Sequence, residues 1–186
     1  MPLLAETSLK PEDLSIEVIE SIPFGENTYV AHRRDSNECI AFDPGLQPEL
    51  ILEYLQTANL QLAAILITHG HCDHIAGTPA LKQAWPNVPV VIGRGDAPML
   101  TDAELNLSAK FGLPYTCDAA DVLLDEGEVY AAAGLEFETR TIPGHSPGHV
   151  VFVVREMTPP VVFGGERSLK MANGLEKSIS SCFALP

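Results

Sequence analysis

Residues 68–74 read Thr-His-Gly-His-Cys-Asp-His, setting three imidazoles and a carboxylate directly after the apolar run Leu62 to Ile67. Imidazole nitrogens and carboxylate oxygens gathered this tightly form a metal-binding set. On an extended backbone alternate side chains point the same way, so His69 and His71 can aim at one ion. Asp73 and His74, beyond the turn, can reach a neighbouring position. A second segment, Pro143-Gly144-His145-Ser146-Pro147-Gly148-His149, brings two more imidazoles, and five of the chain's six histidines fall in these two stretches. Core packing does not produce such clustering. His32, alone between Ala31 and Arg33, reads as a surface or half-buried residue. Cys72 lies inside the first cluster, but the alternation that aims His71 turns it away, which points to packing.

These side chains need rigid supports. Strand patterns rich in Ile, Val, Tyr and Phe run over Ser15 to Glu20, Thr28 to Arg33 and Glu38 to Asp43, separated by turn formers, and read as antiparallel neighbours. Asp43-Pro44-Gly45 ends the third. Pro48 then suits the first turn of a helix with Leu50, Ile51, Tyr54, Leu55 and Ala58 on its apolar face. A buried strand, Ala63 to Ile67, delivers the first histidine cluster. Helix is expected over Ile75 to Trp85 and again near Ala97 to Phe111, with a short strand at Val88 to Ile92 between them. Strand patterns return at Asp121 to Leu124, Leu135 to Thr141, Val150 to Val154 and Val161 to Phe163. Strands with interspersed helices in each half predict an α+β fold, two sheets face to face with helices outside, and both histidine segments at strand ends.

With 186 residues, 46% of them hydrophobic, the chain suits a single domain spanning 1–186. Eleven basic against 25 acidic residues give a formal charge of −14, which opposes attraction to nucleic acid and to anionic membrane surfaces. Residues 1–20 lack the charged start and apolar stretch of a secretion signal, and no run approaches the roughly 20 apolar residues that span a bilayer. Cys39, Cys72, Cys117 and Cys182 form no Cys-x-x-Cys pair and read as free thiols of a reducing, cytoplasmic compartment.

His69, His71, Asp73 and His74 resemble, without gaps, the His-x-His-x-Asp-His hallmark of the metallo-β-lactamase superfamily. The Pro143 to His149 segment resembles its hydroxyacylglutathione hydrolase (glyoxalase II) branch, in which the first histidine of the pair binds metal; His145 takes that role by resemblance. Asp43-Pro44-Gly45 and Asn27-Thr28-Tyr29 match two further family features, so the similarity runs from about Glu17 to Phe163 and implies the four-layer αββα sandwich. In two places the chain departs from the family. Where the family follows a strand with Gly-Asp, whose aspartate bridges two metals, this chain reads Gly164-Gly165-Glu166-Arg167, making Glu166 the candidate replacement. The family's later Pro-Gly-His-Gly histidine has no counterpart after His149, which reads as a shortened or altered C-terminal part.

The resemblance implies a zinc held by His69, His71 and His145 with one position open for water, and a second ion near Asp73, His74 and Glu166; iron or manganese are alternatives to zinc. Asp43 is the expected hydrogen-bond partner of a ligating histidine, His149 a tether of its loop, and Asp73 a group able to orient or deprotonate the attacking water. The function so implied is a zinc-dependent hydrolase whose activated hydroxide attacks a small thioester or ester. A mononuclear iron, persulfide dioxygenase-like oxidoreductase, using His69 or His71, His145 and Glu166, is the first alternative. A binding domain with an incomplete second metal position is the other. Arg167, Lys170 and Lys177 could draw in an anionic substrate or form a solvated face. The substrate and the oligomeric state are not legible.

Overall fold

Alternating β-branched and polar residues, broken by turns at Gly25 and at Asp35-Ser36-Asn37, build the opening strands. In the computed structural model, which describes residues 9–22, 24–165 and the backbone of 169–171, these are β1 (Leu14–Ser21), β2 (Glu26–Arg33) and β3 (Glu38–Phe42). They pair antiparallel, Val18 opposite Tyr29 and Tyr29 opposite Phe42. Helix α1 (Pro48–Thr57) begins at a proline, whose missing N–H costs nothing in the first turn. It buries Ile51 and Leu55 but leaves Leu50 38% exposed, so its apolar face is narrower than the sequence pattern.

The chain then returns parallel to β3 as β4 (Gln61–Ile67), followed by the parallel strands β5 (Val90–Gly93) and β6 (Val122–Leu124). One sheet thus has the order β1-β2-β3-β4-β5-β6. The other is antiparallel and has the order β11-β10-β9-β8-β7, from β7 (Val129–Ala132), β8 (Leu135–Thr141), β9 (Val150–Val154), β10 (Val161–Phe163) and β11 (Leu169–Met171). β7 and β11 are the outer strands of this sheet and were not expected from sequence. β7 is a four-residue, half-exposed edge, too short for period-2 patterning to register.

Between the sheets, Phe42, Phe137, Phe152 and Phe163 are fully buried, and Phe42 stacks on Phe163 with ring centroids 3.9 Å apart. Burying each such ring is worth roughly 2–3 kcal/mol, so the contact between sheets, rather than any loop, carries the stability. A second cluster joins Ile51, Leu55, Ile75 and Leu81 to the opposite face of the first sheet through Val30, Ala41, Ile65 and Ile67. The α-helices of the described residues all pack there.

Two helical expectations need correction. Residues 75–85 are not one helix: α2 (Cys72–Ile75) and α3 (Thr78–Ala84) are separate. Pro79 lacks the N–H a continuous helix would need, and the Gly77 N–H bonds the Pro44 carbonyl instead of a preceding turn. Helix α2 starts early enough to contain Asp73 and His74. The expected helix over 97–111 is two 3-10 stretches, Arg94–Thr101 and Ser108–Phe111. Pro98 sits inside the first, Leu107 takes a left-handed φ of 71°, and the Asp102 and Asn106 side chains satisfy the N–H groups of Glu104, Leu105 and Ser108. Short polar side chains have here outcompeted helix formation.

Candidate metal centre

Three parallel strands, β3, β4 and β5, end on the same edge, where an open sheet presents its loops for binding. Asp43 follows β3, Thr68 to His71 follow β4, and Asp96 lies just past β5. From the other sheet, the loop before β9 carries His145 and His149, and Gly164 and Gly165 follow β10. The Val150 N–H donates to the Thr68 carbonyl at 2.9 Å, fastening the two sheets at this edge.

His69, His71 and His145 converge. Their ligand nitrogens lie within 4.8 Å of one another, and Nε2 of His69 is 3.1 Å from Nε2 of His145. Nitrogens about 2.0–2.1 Å from a tetrahedral zinc are separated from each other by about 3.3–3.4 Å, so this spacing fits such an ion. His69 is fully buried and His71 less so. Burial, with the neighbouring imidazoles, pushes His69 well below the ordinary histidine range and lowers His71 as well. Both rings are therefore neutral near pH 7, as metal ligation requires.

Asp43 organises His69 and His74 from beneath. Its Oδ1 accepts the Thr68 N–H at 2.7 Å and its Oδ2 accepts the Thr68 hydroxyl at 2.6 Å; that hydroxyl oxygen lies 3.1 Å from Nδ1 of His69. The hydroxyl proton goes to Asp43, so the Thr68 oxygen accepts from Nδ1–H of His69, leaving its Nε2 lone pair facing His145. Asp43 also lies 3.2 Å from Nδ1 of His74. This holds Nδ1–H inward and turns Nε2 of His74 toward the Asp73 carboxylate, 3.7 Å away. Burial opposes charge on His74, but the hydrogen bond and charge of Asp43, with Asp73 and Glu26, outweigh it and push His74 up to about 9. Asp43, His69 and His74 thus form a second, wholly buried group beneath the first.

The remaining sequence candidates fall as follows. Asp73 stands at the rim with its side chain 24% exposed. The Nε2 of His149 lies 3.1 Å from the Gly164 carbonyl, so this nitrogen carries the proton and ties the β9 loop to the end of β10. Cys72 is buried and contributes to neither group. Glu166, Arg167, Lys177 and Cys182 lie outside the described residues, as does the side chain of Lys170. Sequence reading missed Thr68, the buried Glu26, whose carboxyl burial pushes up to about 8, and Asp96. The signal available for Thr68 was its place immediately before the first histidine. Asp96 and Glu26 are remote in sequence and carried none. A separate cavity of about 560 Å³, lined by Lys82, Cys117 and Asp121 among others, contains none of these histidines.

The family model of the metallo-beta-lactamase superfamily matches residues 22–158. The chain belongs to this superfamily. Among curated relatives, it is 33% identical over 135 residues to the probable metallo-hydrolase YqgX of Bacillus subtilis, covering 72% of this chain and 63% of that protein. It therefore spans less than two thirds of the YqgX length. It is 30% identical over 162 residues to the hydroxyacylglutathione hydrolase GloC of Haemophilus influenzae, covering 82% of this chain and 74% of GloC. Among solved structures, the BLEG-1 B3 metallo-beta-lactamase superposes with a TM-score of 0.76 at 31% identity, over 84% of this chain and 74% of that one. The two-sheet, mixed α/β architecture is the metallo-beta-lactamase fold. No helix among the described residues is long and apolar enough to cross a membrane.

Proposed function

We propose that this superfamily member is a metal-dependent hydrolase of small thioesters or esters, of the hydroxyacylglutathione hydrolase type. The observation that carries the reading is the meeting of His69, His71 and His145 from two sheets with ligand nitrogens within 4.8 Å, neutral rings at two of the three, and Asp73 alongside. A divalent cation held by the three nitrogens would lower the pKa of a coordinated water to about 7 and polarise a substrate carbonyl. Asp73, on the open side, accepts the proton of the attacking water at a carboxylate oxygen. Hydroxide adds to the acyl carbon, the carbon–sulfur bond of the thioester breaks, and the leaving thiolate takes up the proton that Asp73 accepted. Asp43 and Thr68 keep the His69 and His74 rings oriented throughout. Asp73 and Nε2 of His74, once that ring has released its proton, would offer a place for a second cation, to which Glu166 is the further candidate ligand. Zinc is the proposed ion, with iron or manganese as the alternatives a metal count distinguishes.

The test is elemental analysis of protein purified without added metal or chelator, followed by hydrolysis of acyl-glutathione thioesters. Zinc with turnover that chelator abolishes and zinc restores supports the reading. Inactivity of the metal-loaded protein across thioesters, esters and lactams overturns it. One iron per chain with dioxygen uptake would replace it with the persulfide dioxygenase-like oxidoreductase, and a metal-loaded protein that binds but does not turn over would leave a binding domain.

A further inference from the structure

Asp96 lies on the 3-10 turn Arg94–Thr101, outside both histidine segments, and the chemistry above makes no use of it. It is fully buried. Its Oδ2 accepts the N–H of Gly70, between His69 and His71, at 3.1 Å, and the hydroxyl of Ser146, beside His145, at 2.5 Å. Its Oδ1 accepts the Gly148 N–H at 2.6 Å. A carboxylate oxygen faces a donor at every one of these contacts, and a carboxylate is the acceptor-only group that satisfies them all. An asparagine would turn its NH2 toward at least one N–H or O–H in either orientation. Among the described residues no lysine or arginine pairs with Asp96, so its charge is met by dipoles from the two histidine segments.

Backbone packing tightens the arrangement. A Cβ at Gly148 would lie 2.4 Å from the Asp96 nitrogen, and one at Gly70 would lie 2.4 Å from Cβ of Met99. Both histidine segments therefore rest against the 94–99 turn at direct contact, and the one carboxylate bonds to each.

We propose that Asp96 is a positioning residue that locks the His69–His71 segment and the His145 segment at one mutual spacing, and thereby sets the affinity of the three-histidine site for a divalent cation. This rests on reading those histidines as ligands, but its test does not depend on catalysis. Zinc affinity of the full chain is measured by competition with a chromophoric chelator, for Asp96→Asn and Ser146→Ala beside the unsubstituted protein, with the melting temperature of each metal-free form. Partners outside a metal's immediate ligands typically contribute about 10–100-fold to affinity, and Asp96→Asn is expected to lose that much. Ser146→Ala, which keeps the carboxylate and both backbone bonds, is expected to lose a smaller, several-fold share. It carries the test if Asp96→Asn does not fold.

A fall in melting temperature with zinc affinity unchanged within about twofold in the folded variants would overturn the proposal, leaving Asp96 a purely structural acid. If the unsubstituted chain binds no zinc, this inference and the ligand assignment fall together. If it binds zinc and hydrolyses no thioester, only the proposed activity falls.

Discussion

One carboxylate, Asp43, reaches two imidazoles: His74 directly and His69 through the Thr68 hydroxyl. It does so from a left-handed backbone, φ 48°, a conformation aspartate tolerates better than most residues. Thr68→Val keeps the shape of the side chain but removes the hydroxyl, leaving the Asp43 oxygen and His69 Nδ1 without their shared partner. Zinc affinity, and with it the rate of the proposed thioester hydrolysis, is expected to fall by about 10–100-fold, measured by chelator competition and initial rates. His145→Ala removes a nitrogen of the group itself, so its loss of activity is expected to exceed about 100-fold, with a lower metal content by elemental analysis. If His145→Ala kept full metal content and rate, the three-histidine site would be excluded.

The site is made where loops from different elements touch without room to spare, so small additions to the loops disturb it as well as lost polar contacts. Gly148→Ala would press its methyl on backbone atoms of Gly95 and Asp96 at about 2.4 Å. Such overpacking costs about 1–3 kcal/mol, or roughly 3–10 °C in melting temperature for a chain of this size. Zinc affinity should fall as well, because the segment bearing His145 must move. Gly127, with φ 80° and open space around a Cβ, provides the contrast. Gly127→Ala is expected to cost about 1 kcal/mol of stability through its backbone alone and to leave zinc affinity untouched. Calorimetry and metal titration on both variants separate backbone conformation from loop docking.

For the molecule as a whole, the buried acid and base beneath the site make stability depend on pH. Glu26 is nearly fully buried, and desolvation raises its carboxyl from 4.5 to about 8. A raised folded-state pKa means the folded form binds a proton that the unfolded form has released, so stability is present below about pH 4.5 and is lost as pH rises through 8. His74, raised from 6.5 to about 9, acts in the same direction over a higher window. His69 and His71, lowered mainly by burial, act oppositely and cost stability as pH falls below 6.5. The metal-free protein should therefore melt several degrees lower at pH 9 than at pH 7. Glu26→Gln, which cannot ionise, should gain on the unsubstituted protein steadily between pH 5 and 9; a constant difference would show that Glu26 does not carry this slope. With a formal charge of −14, raising salt should also raise the melting temperature at fixed pH by screening self-repulsion.

Adjacent residues with adjacent roles were legible in the chain. The strands β1 to β4, the proline-led helix α1 and the histidine clusters announce themselves through period-2 patterning, turn residues and close spacing, all local signals. The break between α2 and α3 and the 3-10 turns of 94–111 were not, because Pro44, Asp102 and Asn106 divert backbone hydrogen bonds in ways periodicity does not encode. The sequence by itself determined that five of the six imidazoles gather in two segments and which strand ends would present them. The Thr68 relay and the Glu26 beside it required strands β2, β3 and β4 of one sheet to pair, whereas the meeting of His145 with His69 and His71 and the Asp96 bridge required two sheets to pack. Residues some 26 to 76 positions apart in the chain hydrogen-bond there, and such distances are set by the stacking of phenylalanines between the sheets rather than by any neighbour in the chain.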